Sequence, residues 1–64
     1  MRFELHIDTD NAAFERTPHL EVARILATLA AQFEAFEGAE YRTHSLRDIN
    51  GNKVGEWAWK KEEP

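Results

Sequence analysis

Three histidines, twelve carboxylates and no cysteine make up most of the reactive side chains of this 64-residue chain. His6, His19 and His44 stand too far apart in sequence to form a local ligand pair. Zinc needs three or four convergent ligands, and thiolates are lacking here. Asp8-Thr-Asp10-Asn11 offers oxygens to a cation. A calcium loop begun at Asp8 would need glycine at its sixth position and glutamate at its twelfth, where the chain has Ala13 and His19. The same four residues read as a strand-ending turn held by side-chain hydrogen bonds to the backbone. Glu4, His6 and Glu56 supply an acid–base pair on paper, but catalysis needs a pocket that excludes water. A chain this short is not expected to enclose one of ~300 Å³. No serine sits in a nucleophile elbow and no glycine loop cradles a phosphate. No catalytic residue, no metal ligand and no cofactor is expected, and the chain is not expected to be an enzyme.

Charge points the same way. The net charge of −4 argues against direct nucleic-acid binding, which calls for a basic stripe. Glu34, Glu37 and Glu40 cluster around the expected helix end, and Asp8, Asp10 and Glu15 near its start. A nucleic-acid mimic would need such carboxylates in a dense row at phosphate-like spacing. Arg16, Arg24, Arg42 and Arg47 dilute the row, so the mimic is kept only as an alternative.

The elements that must position these groups can be read from periodicity. Arg2 to Asp8 alternates, with Phe3, Leu5 and Ile7 on one side and Arg2, Glu4, His6 and Asp8 on the other, as in a half-buried strand. Ala12 to Arg16 is a short connection in which Phe14 is expected to tuck onto the core. Thr17-Pro18 predicts a helix start, with a hydroxyl cap followed by proline where no N–H is needed. Val22, Ile25, Leu26, Leu29, Phe33 and Phe36 form an apolar stripe, while Glu21, Arg24, Thr28, Gln32 and Ala35 fall mostly on the other side. Gly38 is placed to end this helix of about twenty residues.

Glu40–Ile49 and Val54–Lys60 read as a hairpin closing on Asn50-Gly51, the strongest short-range signal for a type I′ turn. Trp57 and Trp59 share one face. An even-numbered loop keeps Leu46 on that face, whereas a three-residue loop would move it to the other. His44 is then a cross-strand packing partner for the tryptophans.

The expected architecture is α+β, ordered β-α-β-β: a three-stranded, mainly antiparallel sheet with one helix packed on one face. Residues 1–60 make one domain and 61–64 a charged tail. The last strand is favoured in the centre; a parallel pair of the first two strands is the alternative. A domain this small buries only about 60% of its unfolded surface, and no disulfide can staple it. Seven aromatic residues make an efficient core credible. Glu4, His6 and Asp8 break up any signal-like apolar run, and no stretch is long enough to span a membrane, so a cytoplasmic protein is the default.

One helix covers one face. The other should carry Arg2, Glu4, His6 and Asp8, then Thr43, Ser45, Arg47 and Ile49, then Val54, Glu56 and Ala58. It is polar, mixed in charge, and the broadest flat surface available to a partner.

Asp10-Asn-Ala-Ala-Phe14, Val22-Ala-Arg-Ile-Leu26 and Leu46-Arg-Asp-Ile-Asn-Gly-Asn-Lys-Val-Gly55 resemble a set of short proteins encoded by bacteriophages and prophages. The resemblance spans most of the chain, through motifs that are structural. The set has no agreed activity, and no functional residue is carried over. It implies a context in which small acidic proteins bind one bacterial host protein and block or redirect it, inhibitors of CRISPR immunity among them. The expected function is therefore stoichiometric protein binding. Candidate contacts are His6, Arg47, Ile49, Val54 and Glu56 on the open sheet face and hairpin tip, or Glu34, Glu37 and Glu40 at the helix end. The runner-up is a self-associating module that pairs two open faces or two first-strand edges, so monomer and homodimer both stay open.

Overall fold

Alternation and the apolar stripe produce the expected elements. The computed structural model describes residues 1–35 and 42–61. Strand β1 spans Arg2–Ile7, a 3₁₀ turn Ala12–Phe14, helix α1 Pro18–Phe33, strand β2 Thr43–Arg47 and strand β3 Lys53–Lys60. The architecture is α+β: one helix on one face of an antiparallel sheet ordered β1-β3-β2. The tryptophan-bearing β3 is central, and the parallel pairing of β1 with β2 does not occur.

Phe14, Ile25, Leu29, Leu46, Val54 and Trp57 form the buried core. Phe3, Phe33, Trp57 and Trp59 close one end with edge-on contacts, Phe33 to Trp57 at 4.8 Å and Phe3 to Trp59 at 5.0 Å. His44 stacks on Trp57 at 4.1 Å between ring centres, the packing role expected of it.

The helix differs from expectation at both ends. Thr17 occupies the cap position, but its hydroxyl makes no capping bond. Its ψ of 69° departs from the extended value that aims a capping oxygen at the first turn. Its carbonyl instead accepts from Leu20 and Glu21 N–H. The described helix has 16 residues and reaches its C-cap at Glu34; Phe36 and Gly38 lie outside the described residues.

The hairpin departs most. Asp48 N–H donates to Asn52 C=O and Gly51 N–H to Asp48 C=O, which leaves a three-residue loop, Ile49 to Gly51. Within this loop only Gly51 has positive φ, +86°, so the turn is not type I′, which needs two such residues. An odd loop should have sent Leu46 to the open face. A bulge in β3 cancels the shift: Arg47 pairs with Lys53, yet Leu46 pairs with Gly55. The residue skipped by the bulge is Val54, which turns into the core and is 7% exposed.

Gly55 beside it has a separate reason to be glycine. A Cβ there would run into the His6 carbonyl of β1.

Candidate functional site

The polar residues with the most partners gather at the hairpin tip. Asp48 is 5% exposed, and its carboxylate accepts from Asn11 Nδ2 at 2.7 Å, from Asn50 and Asn52 N–H at 2.9 Å each, and from Asn52 Nδ2 at 3.4 Å. Burial alone would push this carboxyl up, but those four donors outweigh it and hold it below its ordinary range. Asn11 also accepts from Ala13 N–H, so one side chain ties the 3₁₀ turn to the tip.

Glu21 is the second buried carboxylate, at 8% exposure. On the helical period it falls at the flank of the core stripe, one turn before Ile25, where Arg24 clasps it through Nε at 2.8 Å and Nη2 at 3.0 Å. Its Oε2 accepts from Ile49 N–H at 2.9 Å, and Arg24 Nη2 reaches the Arg47 carbonyl at 3.3 Å. The Arg24 bond, then the Ile49 N–H, lower the Glu21 pKa against burial. Together Glu21 and Arg24 take up one outward N–H and one outward C=O of the chain leaving β2, as a neighbouring strand would.

Folding Glu21 and Arg24 toward β2 changes what the helix shows to water. Leu20, Ala23, Ala27, Ala30 and Ala31 are exposed on its outer side, with Leu20 58% and, toward β1, Leu26 43% exposed. Among them intervene the uncharged Thr28 and Gln32, and Arg24, whose side chain keeps 38% exposure while it holds Glu21, before Glu34 at the cap. Leu20, Ala23, Ala27 and Ala30 follow steps of three, four and three, the spacing of a helix-packing seam. This apolar outer side was not among the expected contact surfaces, although the spacing of Leu20, Ala23, Ala27 and Ala30 stands in the sequence itself.

The open sheet face is polar, as expected. His6 lies opposite Glu56, which lies opposite Ser45, so the carboxylate stands between the hydroxyl and the imidazole. Two strand spacings of ~4.8 Å separate Ser45 from His6, too far for a nucleophile–base pair. Lys53 Nζ is 3.4 Å from Glu56, and Arg2 Nε is 3.6 Å from Glu4. Ala58, 4% exposed, floors a depression of about 70 Å³. A larger cleft of about 330 Å³ runs between α1 and the edge of β2. Of the three charged groups on its walls, Arg24 is held by Glu21, Asp48 by its four donors, and Arg47 donates to Gly51 C=O.

The sequence-stated candidates are divided by the fold. His6, Glu56 and Arg47 are exposed on the open face, and Arg47 Nη1 donates to Gly51 C=O. Ile49 is 67% exposed but belongs to the loop, two residues past the end of β2. Val54 is not on the open face: the bulge turns it inward, and a side chain buried there is no contact residue. Glu34 is exposed at the helix cap, while Glu37 and Glu40 lie outside the described residues.

Asp8-Thr-Asp-Asn11 is a turn in which Asp10 N–H donates to Asp8 Oδ1. Among the described residues, no three histidine, aspartate or glutamate side chains are grouped to hold a metal, and no helix is long and apolar enough to cross a membrane. No protein family, curated protein or solved structure matches the chain.

Proposed function

We propose that the chain is a small non-enzymatic accessory protein of phage type, acting in the bacterial cytoplasm, that binds one host protein and inhibits or redirects it. The observation that carries this reading is the apolar outer side of α1. A surface helix that shows leucine and alanine where charge is the rule is suited to packing against another helix or a groove. Ile49, whose N–H donates to Glu21, is a further exposed apolar side chain near the first turns of α1. The open sheet face, with alternating charges already paired, is the weaker contact surface. Support for the non-enzymatic part comes from the cleft, whose buried carboxylate Asp48 is held by four donors and whose Arg24 is clasped by Glu21.

The reading is tested by capture of a partner from bacterial lysate on tagged protein, with mass spectrometry of what is retained. One partner at stoichiometric yield is expected, lost with Ala27→Arg or Leu20→Glu. Both positions are exposed, and circular dichroism checks that the helix survives. Retention that survives both variants but fails with Glu56→Lys would move the contact to the open face. Capture of nothing across several lysates would sink the reading.

A further inference from the structure

The outer edge of β1 has a self-complementary pattern. β1 is an edge strand, and its Asp8 N–H donates to the β3 carbonyl of Val54 at 2.7 Å. In an antiparallel ladder, main-chain groups alternate between the two sides. Asp8, His6, Glu4 and Arg2 therefore turn theirs toward β3, and Phe3, Leu5 and Ile7 turn theirs outward. Those outward groups have no main-chain partner among the described residues.

We propose that this edge pairs antiparallel with the same edge of a second copy, on a two-fold axis at Leu5. In that register Leu5 faces the partner's Leu5, and Phe3 faces the partner's Ile7. Those are the outward-turned residues, so they make the main-chain bonds, about six in all at two per pair. On the open face Glu4 meets the partner's His6, and Arg2 meets the partner's Asp8. Each charge finds its opposite or a hydrogen-bonding ring, and these wider-bonded positions are where side chains approach closest.

Neighbouring registers fail on charge. A slip of two residues one way sets Glu4 against the partner's Glu4 and Arg2 against the partner's His6. The other slip sets Glu4 against the partner's Asp8 and His6 against the partner's His6. Slips by an odd number exchange the faces. The axis is normal to the sheet, so both helices lie on one side of a six-stranded sheet ordered β2-β3-β1-β1-β3-β2.

A second observation fits the same axis. Phe33 packs on Phe3 of β1 at 5.5 Å, and Leu26 lies two helical turns before Phe33 on the same flank. Leu26 and Phe3 are 43% and 36% exposed, and pairing turns both toward the other copy. This homodimer uses the β1 flank and leaves the outer side of α1 open, so it stands or falls independently of host-protein binding.

Sedimentation equilibrium of the intact chain over a wide concentration range is the first measurement, and a monomer–dimer equilibrium is expected. The chain has no cysteine, so single substitutions report the register under mild oxidation. Leu5→Cys should form an intermolecular disulfide, because facing Cα atoms in a bonded pair lie ~5.5 Å apart, inside the disulfide range. Glu4→Cys and His6→Cys should not, since each would meet its own copy only diagonally, at ~7–8 Å. Preferential cross-linking at position 4 or 6, or a chain that stays monomeric throughout, overturns the proposal.

Should Leu5→Cys loosen the core, Glu4→Lys serves instead. It should weaken association about tenfold, through two symmetric cross-strand pairs, with unchanged tryptophan emission. Unaltered association in that variant also overturns the register.

Discussion

Asp48 shows how one side chain can fix the geometry of a loop. Its carboxylate replaces the missing main-chain bonds of the turn and reaches back to Asn11. Because its folded pKa, like that of Glu21, is lowered, the unfolded chain binds more protons as pH drops through the carboxylate range. The stability these groups add is present above the unfolded pKa of about 4 and is lost as pH falls through the lower folded values. Urea titrations at a series of pH values should show a plateau near neutrality and a decline below about pH 4. Asp48→Asn should lower the plateau and flatten the decline; an unchanged slope would remove Asp48 as its source. Gly55 makes a steric prediction: Gly55→Ala should cost about 1–3 kcal/mol in urea melts, because its methyl group meets β1 backbone that cannot swing aside. Neither role was legible in the sequence. The donors to Asp48 come partly from Asn11, 37 residues away, and a glycine next to a turn signal looks like part of the turn.

At the scale of elements, the strand alternation, the proline-led helix start and the central place of β3 were all readable, since each depends on local pattern or on burying the tryptophans. Loop length was not. Leu46 reaches the expected face by two compensating irregularities, an odd loop and a bulge, and a parity argument sees only their sum. Val54 carries the difference: parity alone puts it on the open face, and the bulge puts it in the core. A paired substitution separates these environments. Val54→Asp should abolish cooperative urea unfolding, because it buries an unpaired carboxylate, whereas Ile49→Asp should shift stability by no more than about 0.5 kcal/mol. The outer side of α1 is a different case, because the spacing of Leu20, Ala23, Ala27 and Ala30 is written in the sequence. Periodicity could not foresee how Arg24 and the Ile49 N–H would satisfy a glutamate buried at the flank of the core stripe.

The whole molecule is held at opposite ends by different physics. Around Phe3, Phe33, Trp57 and Trp59 it is aromatic packing. Around Asp48, Glu21 and Arg24 it is a set of charge-assisted hydrogen bonds built on two buried carboxylates. The buried apolar core between them is small, so single truncations should be severe. Trp57→Ala should cost about 3–5 kcal/mol and Leu29→Ala about 2–5 kcal/mol in chemical denaturation, a large share of what a domain of this size has. Salt should weaken the polar end more than the aromatic one. Pairing along β1 makes a global prediction as well: the melting temperature should climb with protein concentration, as it does for any fold whose native state alone associates.

The tight turn at Asn50-Gly51 also bears on how the protein ages. In a loose chain, the glycine amide nitrogen attacks the preceding asparagine carboxamide, expels ammonia and closes a succinimide, which water opens to aspartate or isoaspartate. In the folded hairpin that nitrogen is engaged: Gly51 N–H donates to Asp48 C=O at 3.0 Å, and Asn50 N–H is held by the Asp48 carboxylate. The bonds that shape the turn thus restrain its own chemical clock. Slow appearance of a more acidic species in stored samples would gauge how often the hairpin tip comes undone.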